Sequence, residues 1–164
     1  MSDDENVKVI TPPNTLKMKV REGGPGAVDM AALERAEQVI ADLADSYLEW
    51  VEEDLIKIRK AYDEVCANKD NPAEYVEKVF QISHDMKGQG GSFNYDLMTI
   101  LANDLCRFIE GKTAVTKTDL DVMALYLDSM KIVITKRMSG DGGPEGQKVL
   151  AGLVAVVQKI TGGG

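Results

Sequence analysis

The sequence has few of the residues from which catalytic and metal sites are usually built. It contains one histidine and two cysteines among 164 residues, and aromatic residues make up only 5%. A structural zinc site takes four Cys or His ligands, so such a site is nearly excluded. Cys66 and Cys106 lie far apart in apolar helical patterns without a CxxC spacing, and we expect both to be reduced core residues. A catalytic triad is possible in principle, but no GxSxG motif accompanies His84.

The chain also lacks a surplus of basic residues and any long apolar run. Its 19 Lys and Arg residues are outnumbered by 27 Asp and Glu residues, which gives a net charge of −8 and argues against binding to nucleic acid. No apolar run approaches the roughly 18 residues that cross a bilayer. The acidic start Met1-Ser-Asp-Asp-Glu is unlike a signal peptide. We therefore expect no nucleic-acid partner, no membrane association and a cytoplasmic location.

Residues 1 to about 28 show no sustained helical or strand period. They contain Pro12, Pro13 and a cluster of Gly and Pro at 23–26, which are typical of loops. The short alternating piece at 16–20 could pair as an edge strand, but an isolated fragment of this kind is more often disordered. We predict a flexible arm over 1–28.

From Asp29 onward, apolar residues recur at the three-to-four spacing of helices. Six helices are predicted, with Asp29, Asn94, and Thr118 or Asp119 as N-caps, Pro72 at a first helical position and Gly111 as a stop signal. They cover about 29–45, 46–68, 72–92, 95–110, 118–138 and, after Asp141-Gly-Gly-Pro144, the C-terminal region. Whether the first two are one bent helix or two is left open.

The abundance of helix-forming residues and the short connections predict an all-α fold. Short connections place neighbouring helices antiparallel, which describes an up-and-down four-helix bundle. We predict a bundle core over about 46–138, with an extra N-terminal and an extra C-terminal helix packed around it. Residues 29–164 would then form one domain, expected to be a monomer.

The third predicted helix carries the single histidine. At 100° per residue, its apolar residues cluster within about 60° of one another and define the expected buried stripe. These residues are Tyr75, Val79, Ile82 and Met86. His84 lies roughly 170° from the centre of that stripe, so we predict that it faces solvent.

Lys87, Gly88 and Gly91 share the helical face of His84, because they follow it by one or two helical turns. An exposed imidazole is mostly neutral at pH 7 and can act as a nucleophile through a ring nitrogen. Lys87 offers an ammonium that would balance the charge of a phosphoryl group on His84. Gly88 and Gly91 remove side chains where another protein's active site would approach.

Other interpretations of these residues are open. Each glycine costs a helix interior about 0.8 to 1 kcal/mol relative to alanine, and Gly88, Gly90 and Gly91 crowd four positions, so the helix could simply end there. His84 and Lys87, each taken singly, fit incidental surface residues. One turn earlier, Phe80 and Gln81 are candidates for docking a partner, while Phe80 fits a core residue equally well.

The segment His84-Asp-Met-Lys87-Gly88 resembles the H-x-[apolar]-K-G motif of histidine-containing phosphotransfer (HPt) domains, which also stand at the front of chemotaxis histidine kinases. The resemblance covers about 46–138, the motif lies on the second of four core helices as in the family, and Ser92-Phe93 fits the small-then-apolar pair that follows the glycines. One position departs: the family usually has glycine ten residues after the histidine, where this chain has Asn94. Asparagine tolerates left-handed backbone and caps helices, so the turn can survive.

The resemblance implies a phosphorelay carrier of the kind found in bacterial two-component signalling. His84 would accept a phosphoryl group from the aspartyl phosphate of a response-regulator receiver domain or from a histidine kinase, and pass it to another receiver aspartate. The sequence has no GxxxxGK[ST] loop and no kinase-type glycine-rich loop, so transfer must use the partner's active site. We expect no cofactor in this chain; Mg²⁺ belongs to the receiver.

Two further hypotheses come from other classes of protein. A helical adaptor that keeps an HPt-like fold would bind partners without phosphorylation. An N-terminal fragment of a chemotaxis-type kinase is disfavoured, because the chain ends in Thr161-Gly-Gly-Gly without a catalytic domain.

Overall fold

The computed structural model describes residues 29–162, and every regular element in that range is an α-helix. The helices are α1 Met30–Ala67, α2 Ala73–Ser92, α3 Asp96–Ile109, α4 Lys117–Thr135 and α5 Gly143–Gly162. The predicted all-α class is confirmed for this part of the chain. None of the five helices is both long and apolar enough to cross a membrane. The arm predicted over 1–28 lies outside the described residues.

The first two predicted helices are one continuous helix, α1, of 38 residues. A restart at Ser46 does not occur, because neither proline nor glycine interrupts the pattern and the Ser46 hydroxyl donates to the Asp42 carbonyl one turn back (3.1 Å). Of the two alternatives left open, one helix is therefore observed, and the extra N-terminal helix expected beside the bundle is the first part of α1. The chain divides into two compact units between Leu48 and Glu49, within α1. The range predicted for the bundle core, 46–138, falls almost wholly in the second unit.

Helix α1 begins in the first unit, directly after the predicted N-cap Asp29. Asp29 caps the helix, since its Oδ1 accepts a hydrogen bond from the backbone N–H of Ala31 (3.0 Å). The apolar residues whose spacing predicted this helix are only partly buried: Leu33 is 3% exposed, but Val39, Ile40 and Leu43 are 56, 41 and 43% exposed.

In the second unit, the α1 segment from Glu49 contacts α2 and α4, and the consecutive helices from α2 to α5 pack on one another. The Tyr62 hydroxyl donates to the Leu120 carbonyl of α4 (2.9 Å), and Trp50 packs edge to face on Phe93 with ring centroids 5.9 Å apart. The largest fully buried side chains include Ile58 of α1, Met86 of α2, four residues of α3 (Leu97, Met98, Leu101 and Leu105) and three of α4 (Met123, Leu127 and Met130).

The N-terminus of α4 is held by a capping box. Thr116, and not Thr118 or Asp119, is the N-cap: its side chain accepts from the Asp119 backbone N–H (3.1 Å), and the Asp119 carboxylate accepts from the Thr116 N–H (2.9 Å). The pattern Thr-x-x-Asp was present in the sequence as the signal of this box. At the other end, α4 stops at Thr135 and not near 138, because Arg137 adopts a left-handed backbone (φ 50°).

The capping box makes stability depend on pH. Burial alone would raise the pKa of the Asp119 carboxyl, but the Thr116 backbone N–H and the Lys112 ammonium lower it overall. A lowered folded-state pKa stabilises the fold above the unfolded-state value of about 3.9, and this contribution is lost as the pH falls through the folded-state pKa. Asp119→Ala is expected to reduce the free energy of unfolding by about 1 kcal/mol at pH 7, measured by chemical denaturation.

At pH 3 the difference between wild type and Asp119→Ala should be smaller. Asp121→Ala is the control, because this exposed carboxylate pairs with Lys117 one turn away and should change stability by less than about 0.5 kcal/mol. A loss from Asp119→Ala that is the same at pH 7 and pH 3 would contradict the role of the carboxylate charge.

Candidate functional site

His84 lies in the middle of α2 with its side chain exposed to solvent, as predicted. The buried residues of α2 are Val76, Val79, Ser83, Met86 and Gly90. The centre of this buried face is about 120° from His84 at 100° per residue, whereas the apolar stripe in the sequence predicted about 170°. The face is rotated toward α3, and its small residues, Ser83 and Gly90, give no apolar signal in the sequence.

The glycine-rich segment does not end the helix. α2 continues through Gly88, Gly90 and Gly91 to Ser92, so the alternative that the helix stops in a glycine-rich turn is wrong. As a result, Lys87, Gly88 and Gly91 keep the helical spacing that places them on the same face as His84.

The helix ends in a Schellman motif after Phe93. The Tyr95 N–H donates to the Gly90 carbonyl (2.8 Å), and the Asn94 N–H lies 3.5 Å from the Gly91 carbonyl. Asn94 has φ 62°, the left-handed conformation usually given to glycine at this position. The expectation that asparagine supports the turn is confirmed, but Asn94 is not the N-cap of α3, because Tyr95 occupies that position.

The three glycines have different surroundings. A Cβ atom added at Gly88 would meet nothing within 4 Å, and one added at Gly91 would meet only Thr99 Oγ1, at 3.8 Å. Gly90 is buried, and a Cβ there would lie 2.5 Å from Thr99 Oγ1 and 2.9 Å from the Tyr95 carbonyl oxygen. Gly88 and Gly91 therefore leave an open surface beside His84, whereas Gly90 allows α3 to approach α2.

Lys87 is half-buried on the side of α2 that faces α3. Burial raises the pKa of the Cys106 thiol, and the positive charge of Lys87 partly opposes this rise, which places the ammonium near α3. None of the ion pairs formed among residues 29–162 involves Lys87. Its charge is thus not neutralised by a carboxylate of the described chain, and it lies one turn from the imidazole.

Phe80 and Gln81 border His84 on the preceding turn. The Phe80 ring is half-buried, and its centroid lies 6.1 Å from that of the His84 ring with a 30° tilt between the planes. Gln81 is exposed and its side-chain amide donates to Glu77 (2.7 Å). The Phe80 side chain is therefore neither fully buried nor fully exposed, and its role in docking a partner stays a prediction.

The remaining titratable groups do not form a second centre in the described chain. Across residues 29–162, no three His, Cys, Asp or Glu side chains converge in a way that could hold a metal ion. Both cysteines are free thiols as expected; Cys106 is buried, and Cys66 is only half-buried. The Cys106 thiol lies 3.8 Å from the Phe80 carbonyl oxygen, on the inner side of α2.

The structure therefore brings His84, Lys87, Gly88, Gly91, Phe80 and Gln81 together on or beside one exposed face of α2. Sequence reasoning missed Thr99, whose hydroxyl donates to the Lys87 carbonyl across the α2–α3 contact (3.0 Å), and no local pattern predicts it.

Comparison with protein-family models, with curated proteins and with solved structures gave no match to this chain.

Proposed function

We propose that this protein is a histidine phosphotransfer protein that carries a phosphoryl group on His84 between receiver domains, or between a histidine kinase and a receiver. The observation that carries the proposal is the combination on α2 of an exposed histidine, a lysine one turn on that forms no ion pair within residues 29–162, and an open glycine beside them. An uninterrupted helix is required for this combination, and α2 runs through all three residues.

The chemistry needs little from this chain. A ring nitrogen of His84 attacks the phosphorus of a receiver's aspartyl phosphate through its lone pair; the P–N bond forms, the P–O bond to the aspartate breaks, and the carboxylate leaves. Phosphoryl transfer depends mainly on positioning and on balancing charge. Lys87 supplies one positive charge, and the receiver supplies Mg²⁺ and its acidic pocket. The reverse reaction passes the group to a second receiver, so the protein is a carrier and not an autonomous enzyme.

The proposed architecture is an up-and-down four-helix bundle made of the α1 segment from Glu49 with α2, α3 and α4, and α5 packed beside it. Contacts of α1 with α2 and α4, and of α3 with both α2 and α4, support this arrangement. Within it, His84 would lie midway along the second bundle helix. We further propose that the protein acts as a monomer in the cytoplasm, where receiver domains and kinases are its partners.

The proposal is tested by incubating the protein with a panel of phosphorylated receiver domains. We expect the label to move from one or more receivers to this chain and to be acid-labile and base-stable, as a phosphohistidine is. If a receiver binds wild type and His84→Ala equally tightly and no label is transferred from any receiver, the protein is a helical adaptor and the proposal is wrong.

Gly88→Glu is expected to slow transfer from a receiver by about 100-fold. The new carboxylate would stand where the acidic pocket of the receiver approaches, and juxtaposed like charges cost several kcal/mol. The fold should be unaffected, because a Cβ at Gly88 meets nothing within 4 Å. Transfer rates and far-ultraviolet circular dichroism measure the two effects.

Gly152→Glu is the matched control for this variant. Gly152 is a helical glycine of α5 that is exposed and equally free of neighbours within 4 Å, so it receives the same side chain on a different surface. Transfer by Gly152→Glu should equal that of wild type. Rapid transfer by Gly88→Glu would mean that no partner approaches this face.

A further inference from the structure

The turn of α2 from Lys87 to Gly91 is intrinsically weak as a helix. Three of its last four residues are glycines, which lose more backbone entropy in a helix than any other residue. The same turn carries two groups of the proposed site, the Lys87 ammonium and the open surface at Gly88. Contacts from outside α2 must therefore hold this turn helical.

Thr99, on the first turns of α3, makes such a contact. Its hydroxyl donates to the backbone carbonyl of Lys87 (3.0 Å), a group that also accepts from the N–H four residues later in a regular helix. The contact is possible only because position 90 is glycine: a Cβ there would lie 2.5 Å from Thr99 Oγ1 and 3.0 Å from the Thr99 backbone nitrogen.

The backbone around Thr99 is tied to the same turn. The Thr99 N–H donates to the Tyr95 carbonyl (3.3 Å), and the Tyr95 N–H donates to the Gly90 carbonyl (2.8 Å). These bonds fix where α3 begins relative to the end of α2. The Thr99 hydroxyl is thus presented to Lys87 by backbone that is itself attached to Gly90.

We propose that Thr99 is a positioning residue of the phosphotransfer site: its hydroxyl holds the 87–91 turn helical and so keeps Lys87 and Gly88 in register with His84. This inference rests on the proposed function. It assigns Thr99 no contact with the phosphoryl group, because the hydroxyl acts through the Lys87 carbonyl.

The test compares Thr99→Val, which removes the hydroxyl at nearly constant volume, with Thr99→Ser, which keeps it. We expect Thr99→Val to slow transfer from a phosphorylated receiver by about tenfold, and Thr99→Ser to restore a rate close to wild type. Phosphorylation of His84 by phosphoramidate, a small donor that needs Lys87 but not the open surface at Gly88, should be slowed less in Thr99→Val than transfer from the receiver. A general loss of stability would not produce this difference between the two donors.

Amide hydrogen exchange gives a readout that does not depend on phosphotransfer. The amides of Gly91 and Ser92 should exchange about tenfold faster in Thr99→Val than in wild type, and at the wild-type rate in Thr99→Ser. If Thr99→Val does not fold, Thr99→Ala removes the same hydroxyl without placing a methyl group against Gly90 and replaces it in both experiments.

The outcomes separate the two proposals. Wild-type transfer and wild-type exchange in the hydroxyl-free variant would overturn the role of Thr99, as would equal slowing with phosphoramidate and with the receiver. If no receiver labels the wild-type protein, the proposed phosphotransfer function is wrong, and so is the positioning role of Thr99 in it. Faster amide hydrogen exchange in Thr99→Val would still show that the hydroxyl holds the 87–91 turn helical.

Discussion

His84→Gln is expected to take up no acid-labile phosphoryl label from a phosphorylated receiver domain. Glutamine keeps a polar side chain on the exposed face of α2 but has no nucleophilic nitrogen, and the chain contains no other histidine. The loss should therefore be complete and not partial. The measurement is the label remaining on the protein after alkaline treatment, with circular dichroism to show that α2 is unchanged.

The double variant His84→Gln with Gln158→His is the control for the surroundings of the histidine. Gln158 is exposed on α5, so the imidazole moves to another helical surface without Lys87 and Gly88 beside it. We expect no transfer from a receiver to this variant. Label on His84→Gln alone would show that the phosphoryl group is carried elsewhere, and label on the double variant would show that any exposed histidine suffices.

Gly90→Ala is expected to lower the free energy of unfolding by about 2 kcal/mol, the cost of inserting a methyl group into a closely packed contact. The added Cβ would lie 2.5 Å from Thr99 Oγ1 and 2.9 Å from the Tyr95 carbonyl, and the second of these atoms belongs to backbone that cannot turn away. The better helix propensity of alanine, about 1 kcal/mol, offsets only part of the strain. Urea or thermal unfolding measures the change.

Gly88→Ala is the matched control on the same helix, only two residues earlier. It brings the same gain in helix propensity without a neighbour within 4 Å, so it should raise the free energy of unfolding by about 0.5–1 kcal/mol. Opposite signs for the two variants would confirm that one glycine allows packing and the other provides an open surface. A similar gain in stability from both would contradict the close approach of α3 at Gly90.

Local sequence signals predicted the positions of several elements well. Proline at 72 marked the beginning of α2, although Pro72 is the N-cap and Ala73 the first helical residue, and the apolar spacing correctly placed His84 on the solvent side. Asn94 was expected to tolerate left-handed backbone, and it adopts that conformation. These features depend on residues within one or two turns, where proline and asparagine have well-defined conformational preferences.

The features that the sequence did not predict depend on contacts between distant segments. The persistence of α2 through Gly88, Gly90 and Gly91 runs against helix propensity and involves Thr99 of the next helix. The predicted position of the buried face of α2 was also wrong. The prediction used apolar residues only, whereas the observed face includes the small residues Ser83 and Gly90. Of the candidate site, the residues on α2 were therefore predictable, and the support from α3 was not.

The open surface at Gly88 has a consequence for the choice of partner. If the proposed function holds, a position without a side chain admits every receiver that can reach His84 and rejects none, so it contributes nothing to discrimination between related receivers. Selectivity requires groups that favour one partner or repel another. Under the proposed function, that task falls to the side chains at the border of the site, such as Phe80 and Gln81, and exchanging them should redirect the carrier without altering its chemistry.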